Sequence, residues 1–117
     1  LAGQSAALGP AFRQRLVRDR HQLDALLATI AGAGDAPGDA GALREVELAA
    51  HKLHGTSAMF GYERLGLAAG RLEAAAHEAI AQAMPGRRAV EHLGAAHVEL
   101  LAEIDAWAAI NSGSRNL

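Results

Sequence analysis

Apolar residues recur at intervals of three and four residues through four successive segments of this 117-residue chain. Such spacing places them along one face of a helix, so each segment is predicted to form an amphipathic helix. The predicted helices span about residues 10–31, 40–60, 62–84 and 87–110. Local residues support these limits: Pro10 suits a first helical turn, Asp39 an N-cap, Gly61 a helix end and Pro85-Gly86 a break.

The composition favours helices packed closely against one another. Half of the residues are apolar but only 3% are aromatic, and many of the other apolar residues are alanine. Small side chains suit helices better than sheets, which favour β-branched and aromatic residues. Because the connections other than residues 31–41 are short, we expect one domain over residues 1–117, an all-α, antiparallel, up-down-up-down four-helix bundle.

The same spacing predicts the core residues of the first, third and fourth helices. The residues expected to point inward are Leu8, Phe12, Leu16, Leu23, Leu27 and Ile30 in the first helix, Leu65, Ala69, Leu72, Ala76 and Ile80 in the third, and Val90, Leu93, Leu100, Ile104 and Trp107 in the fourth.

Charge and cysteine content exclude several classes of function. A net charge of −2 gives no general attraction to nucleic acid or to anionic membranes. The chain has no cysteine, hence no disulfide and no thiolate nucleophile, which fits a reducing compartment. No apolar run approaches the ~20 residues of a membrane span. We expect a cytoplasmic monomer that binds neither nucleic acid nor membrane.

The second helix places His51 outside its core stripe. That stripe contains Leu43, Val46, Ala50, Leu53, Ser57 and Phe60. His51 lies about 100° further round the helix, on a stripe with Arg44, Leu48, Gly55, Ala58 and Tyr62. Only Gly55 and Ala58 follow it there, so the imidazole is expected on a surface that another protein can approach. The alternative, which spacing leaves open, is that Gly55 allows close helix packing and His51 is an ordinary surface histidine.

The segment AHKLHGTSAMFG, residues 50–61, followed by YERLGLAAGRLEAAA, resembles the histidine-containing phosphotransfer (HPt) domain. The matching features are His51, Gly55, the small pair Thr56-Ser57, Phe60-Gly61, Leu65 and Leu72-Glu73. The first segment, FRQRLVRDRHQLDALLATI, resembles the family's first helix, so the resemblance covers about residues 8–110. It implies a four-helix bundle without kinase activity of its own. Such a bundle carries a phosphoryl group on one exposed histidine, between receiver-domain aspartates or from a kinase to a receiver.

Carried over residue by residue, the resemblance makes His51 the phosphorylated residue. A neutral imidazole with a pKa near 6.5 is a nucleophile at neutral pH. Glu73 matches a glutamate near the active histidine of the chemotaxis kinase's phosphotransfer domain. A carboxylate there would accept from Nδ1–H and leave Nε2 free; the alternative is a solvated charge. The family's usual lysine, which can reach the phosphoryl oxygens, is replaced by His54, which is expected to contact the phosphoryl group in its place. Lys52, about 100° from His51, is expected to support the site electrostatically.

The expected partners are a response-regulator receiver domain and a sensor or hybrid histidine kinase. The chain needs no cofactor of its own, since magnesium is expected on the receiver. The receiver is expected to dock over the exposed parts of the first three helices near His51. The centre of that surface is expected to be Leu48, Gly55, Ala58 and Met59.

Two alternative functions remain open from the sequence. One is an adaptor bundle that docks receivers without carrying phosphate. The other is a metal-binding bundle in which His51 and His54, with Glu47 one turn earlier, hold an ion. The other histidines are scattered, and His97 is expected at the edge of the core. We find no internal repeat.

Overall fold

Four helices account for nearly all of the structure, a computed structural model that describes the backbone of residues 2–115 and the side chains of residues 10–109. The helices are α1 (Ala2–Ala31), α2 (Ala40–Met59), α3 (Glu63–Ala81) and α4 (Gly86–Arg115). None of these described helices is both long and apolar enough to cross a membrane.

Three predicted helix limits were wrong. α1 begins at Ala2, so Pro10 lies inside the helix rather than in its first turn; a proline removes one backbone N–H, and here the helix continues through it. α4 runs on to Arg115 instead of ending at residue 110. α3 ends at Ala81 instead of residue 84, because Ala83 adopts a left-handed φ of 48°. Leu8 lies outside the described side chains.

Both ends of α2 are capped by the residues that the sequence predicted. The Asp39 carboxylate accepts a hydrogen bond from the backbone N–H of Ala42 at 3.0 Å. At the other end Gly61 has a φ of 77°, and the N–H of Tyr62 bonds to the Ser57 carbonyl at 2.8 Å. These caps define where α2 begins and ends along the chain, so that His51 lies near the middle of the helix.

Each helix packs against two neighbours, α1 and α3 both contacting α2 and α4. Charged pairs show the relative direction of the helices, because a later residue of one helix meets an earlier residue of the next. The pairs are Arg20 with Asp105 and Asp24 with His97 between α1 and α4, and Arg71 with Glu99 and Glu78 with His92 between α3 and α4. These neighbours run antiparallel, as predicted for the bundle, and His97 lies at the core edge.

The predicted core residues within the described range are buried, with three exceptions. Ile80 and Val90 are only partly buried. Phe60 is 36% exposed, because α2 ends one residue before it. Its ring still packs edge-on against Phe12, at 5.7 Å between centroids, in a cluster that gathers every aromatic side chain of the protein: Phe12, Phe60, Tyr62 and Trp107.

The α1–α2 loop is joined to the turn before α4 by backbone hydrogen bonds. The N–H of Gly38 bonds to the Met84 carbonyl at 3.0 Å, and the N–H of Gly86 bonds to the Ala36 carbonyl at 2.9 Å. Gly86 has no room for a side chain: a Cβ there would lie 2.2 Å from the carbonyl oxygen of Ile30. The loop therefore packs directly on the start of α4.

Gly86→Ala should destabilise the fold, whereas Gly94→Ala in the same helix should stabilise it. In Gly86→Ala the added Cβ displaces the end of α1 and the loop after it from α4, which destabilises the fold by about 2 kcal/mol or more. At Gly94 a Cβ has no heavy atom within 4 Å, so the better helix propensity of alanine contributes up to about 1 kcal/mol. Urea unfolding followed by circular dichroism measures both; equal effects would contradict the close contact at Gly86.

Candidate functional site

His51 stands on the exposed side of α2. Its side chain is 68% exposed. One turn later, a Cβ built on Gly55 would have no heavy atom within 4 Å. Gly55 therefore opens the surface beside His51 towards solvent, and the alternative that it permits close helix packing is wrong.

A hydrogen bond to α3 orients the His51 ring. Its Nδ1 lies 2.7 Å from Oε2 of Glu73, whose side chain is only 27% exposed. A carboxylate oxygen accepts, so Nδ1 carries the hydrogen and Nε2 keeps its lone pair. Glu73 is therefore a partner of the histidine and not a solvated charge. The arrangement leaves one nucleophilic nitrogen facing solvent.

His54 turns towards α3 and shares the same carboxylate. Its Nδ1 lies 3.6 Å from Oε1 of Glu73. The ring lies over two glycines of α3: a Cβ on Gly70 would come within 3.3 Å of its Cε1, and one on Gly66 within 3.8 Å of its Cδ2. Gly70 thus makes room for the imidazole, whereas a Cβ at Gly66 would meet the ring only at ordinary van der Waals distance. His54 contacts the group that orients His51, an arrangement that the sequence did not predict.

Lys52 lies on the opposite side of α2 from His54. With Arg15 and Arg18 of α1 it lines a groove of about 570 Å³ between the two helices. Asp19 lies in the same groove, where partial burial raises the pKa of its carboxyl despite the lowering effect of the surrounding cations. Three cations and the carboxylates of Asp19 and Glu45 therefore line the groove on the α1 side of α2.

The four residues predicted to meet a partner are all exposed. Leu48 is 51% exposed and Met59 78% exposed, unusual values for large apolar side chains. Gly55 and Ala58 lie between them on the same side of α2. Together Leu48, Gly55, Ala58 and Met59 form an apolar surface running past His51, hereafter the α2 surface.

A second histidine–glutamate pair lies beside the first and was missed in the sequence. Nδ1 of His77 on α3 lies 2.8 Å from Oε2 of Glu47 on α2. The pattern E-x-A-A-H occurs at residues 47–51 and again at 73–77. In the structure each glutamate bonds to the histidine of the other copy, which also shows that α2 and α3 run antiparallel. This short repeat was the signal in the sequence.

The pairing of Glu47 with His77 argues against the metal-binding alternative. Glu47 was expected to join His51 and His54, yet its carboxylate bonds to His77 instead. Within the described part of the chain, no group of three or more histidine, aspartate or glutamate side chains is arranged to hold a metal ion. The geometry gives that alternative no support.

Comparison with known protein families agrees with the site. The family model of the Hpt domain matches residues 11–109. The chain therefore belongs to the Hpt domain family, whose members are phosphotransfer carriers of two-component signalling that interact with receiver domains and histidine kinases. Compared with the curated proteins and with the solved structures, the chain has no significant match.

Glu73→Gln should release His51 from a single tautomer. An amide can turn either its oxygen or its NH₂ group towards the ring, so Nδ1–H is no longer favoured. Nitrogen NMR of the isotope-labelled protein in alkaline buffer should show the Nδ1–H tautomer of His51 in the wild type and a mixture of both tautomers in the variant. The exposed His21, which does not contact Glu73, is the control: its spectrum should be the same in both proteins. An unchanged His51 spectrum would contradict the orienting role of Glu73.

Proposed function

We propose that this chain is a phosphohistidine carrier, in which His51 accepts a phosphoryl group from a receiver-domain aspartate and passes it to another receiver. The observation that carries the proposal is the exposed imidazole whose Nδ1 is 2.7 Å from the Glu73 carboxylate. In the reaction the Nε2 lone pair forms a bond to phosphorus while the bond from phosphorus to the aspartyl oxygen breaks. The aspartate leaves as a carboxylate, and the reverse reaction returns the group.

The chain itself contributes the placement of the reacting nitrogen more than the positive charge that neutralises the phosphoryl oxygens. Phosphoryl transfer depends mainly on in-line placement of the reacting atoms and on neutralisation of the phosphoryl oxygens. The Glu73 hydrogen bond fixes the ring, and the receiver is expected to bring its aspartate and magnesium. Lys52 and Arg18, both exposed beside the α2 surface, support the approach of an anionic partner without reaching the place of the family's usual lysine.

His54 acts on the reaction through Glu73 in this proposal. It lies 3.6 Å from the carboxylate that holds His51. His51 and His54 each approach one oxygen of the same Glu73 carboxylate, so His54 influences where that carboxylate lies and how it orients His51. The replacement of the usual lysine by His54 would thus tune the orientation of His51 rather than stabilise the phosphorylated form directly.

The α2 surface is the proposed docking site for the receiver. Its apolar side chains border the nucleophile, and the space above Gly55 lets the receiver's aspartate approach His51 closely. An adaptor that only docks receivers would need this surface but has no use for an imidazole held in one tautomer. The His51–Glu73 hydrogen bond therefore favours the carrier over the adaptor. We expect the exchange to occur in the cytoplasm.

His51→Gln should abolish phosphoryl uptake from a phosphorylated receiver and leave the fold intact. The side chain is 68% exposed, so little packing is lost. Intact mass spectrometry after incubation with the phosphorylated receiver measures uptake, and a thermal melt followed by circular dichroism checks the fold. Receiver-derived phosphate retained by the variant would assign the acceptor to another residue.

Gly55→Phe should block the transfer by filling the space beside His51. A side chain at residue 55 projects into open space, so the fold should survive. Gly94→Phe is the matched control, because residue 94 also has no heavy atom within 4 Å of its Cβ position but lies on α4. Transfer rates from a phosphorylated receiver should fall at least about tenfold for Gly55→Phe alone, as expected from displacement of the reacting groups by about 1 Å or more. Equal rates for the two variants would contradict the docking site.

A further inference from the structure

The two histidine–glutamate pairs have nearly the same geometry. Nδ1 lies 2.7 Å from the carboxylate in the His51–Glu73 pair and 2.8 Å in the His77–Glu47 pair. The histidines are 68% and 74% exposed, and their glutamates 27% and 23% exposed. Each ring therefore has its Nδ1 hydrogen held by a partly buried carboxylate and its Nε2 left with a lone pair.

The surface around His77 is also open. Among its neighbours three or four positions away on α3, Ile80 is partly buried against the core and Glu73 bonds to His51, which leaves the exposed residues Ala74 and Ala81. They line a depression of about 570 Å³ together with both pairs' glutamates, and no side chain longer than alanine stands in those two places. A small molecule can therefore reach Nε2 of His77.

The surroundings of the two rings differ in charge and in apolar area. Relative to its histidine, Glu78 occupies the position that Lys52 occupies beside His51, and Ala74 occupies the position of Leu48. Glu78 is partly engaged elsewhere: it accepts a hydrogen bond from Gln82 at 3.0 Å and lies 3.5 Å from Nε2 of His92. The described residues that line the depression at His77 thus include the nucleophile but neither a lysine or arginine nor a large apolar side chain suited to a receiver domain.

We propose that His77 is a second phosphoryl-acceptor site, serving small phosphoryl donors and not receiver domains. The inference applies to His77 the chemistry of the proposed function at His51 and in that sense rests on it. With phosphoramidate as donor, the Nε2 lone pair forms a bond to phosphorus while the donor's phosphorus–nitrogen bond breaks. The electron pair of that bond leaves with ammonia, and the Nδ1 hydrogen stays in its bond to Glu47.

The test is phosphorylation of the full chain by potassium phosphoramidate, with site-resolved mass spectrometry over time. The wild type should gain phosphoryl groups at His51 and His77 faster than at His21. His21 is the internal control, because it is exposed and makes no hydrogen bond or ion pair within the described residues. His51→Gln should leave the rate at His77 unchanged.

Two further variants separate orientation from charge. Glu47→Gln should lower the rate at His77 about tenfold and spare His51, since partners that orient a histidine contribute about 10- to 100-fold at metal sites. Glu78→Gln should raise the rate at His77 by removing an anion from the donor's path. Circular dichroism of both variants confirms folding.

Labelling of His77 no faster than that of His21, or an unchanged rate in folded Glu47→Gln, would overturn the inference. Either result leaves the proposed function standing if a phosphorylated receiver still labels His51. Loss of receiver-derived labelling at His51, with His77 still labelled by phosphoramidate, would instead overturn the proposed function alone.

Discussion

The close packing of α2 against α3 is the contact on which the site depends. Small residues meet in it: a Cβ built on Gly66 of α3 would lie 3.4 Å from the Cβ of Ser57 on α2. Ser57 is fully buried, and its hydroxyl has no hydrogen-bond partner among the described residues, so its small size rather than its polarity suits the position. Because the helices approach closely, a glutamate on one helix can reach a histidine ring on the other.

The same packing explains the glycines of α3. A glycine inside a helix costs about 1 kcal/mol relative to alanine. At Gly70 that cost is offset by room for the His54 ring, which then reaches Glu73, while Gly66 lies against Ser57 of α2. Gly70, His54 and Glu73 are therefore parts of one arrangement centred on the carboxylate that orients His51.

Helical spacing predicted what depends on a single helix, and the family resemblance placed Glu73 of α3 near His51. Spacing within α2 gave the exposure of His51, and Asp39 and Gly61 gave the helix ends, because the period of a helix and the chemistry of its caps are local properties. Pro10 gave a wrong start for α1, because proline is compatible both with the first turn of a helix and with a position inside a longer helix. The pairing of His77 with Glu47 depends on the register between two helices, which no spacing within one helix defines.

The orientation of His51 is the central claim, and the ring nitrogen that carries the phosphoryl group tests it most directly. Phosphorus and nitrogen NMR of isotope-labelled protein, phosphorylated by a receiver domain, distinguishes phosphate on Nε2 from phosphate on Nδ1 through the coupling to the bonded nitrogen. Because the Glu73 carboxylate holds Nδ1–H at 2.7 Å, the account predicts phosphate on Nε2 of His51. Phosphate on Nδ1 of His51, or on another residue, would contradict it.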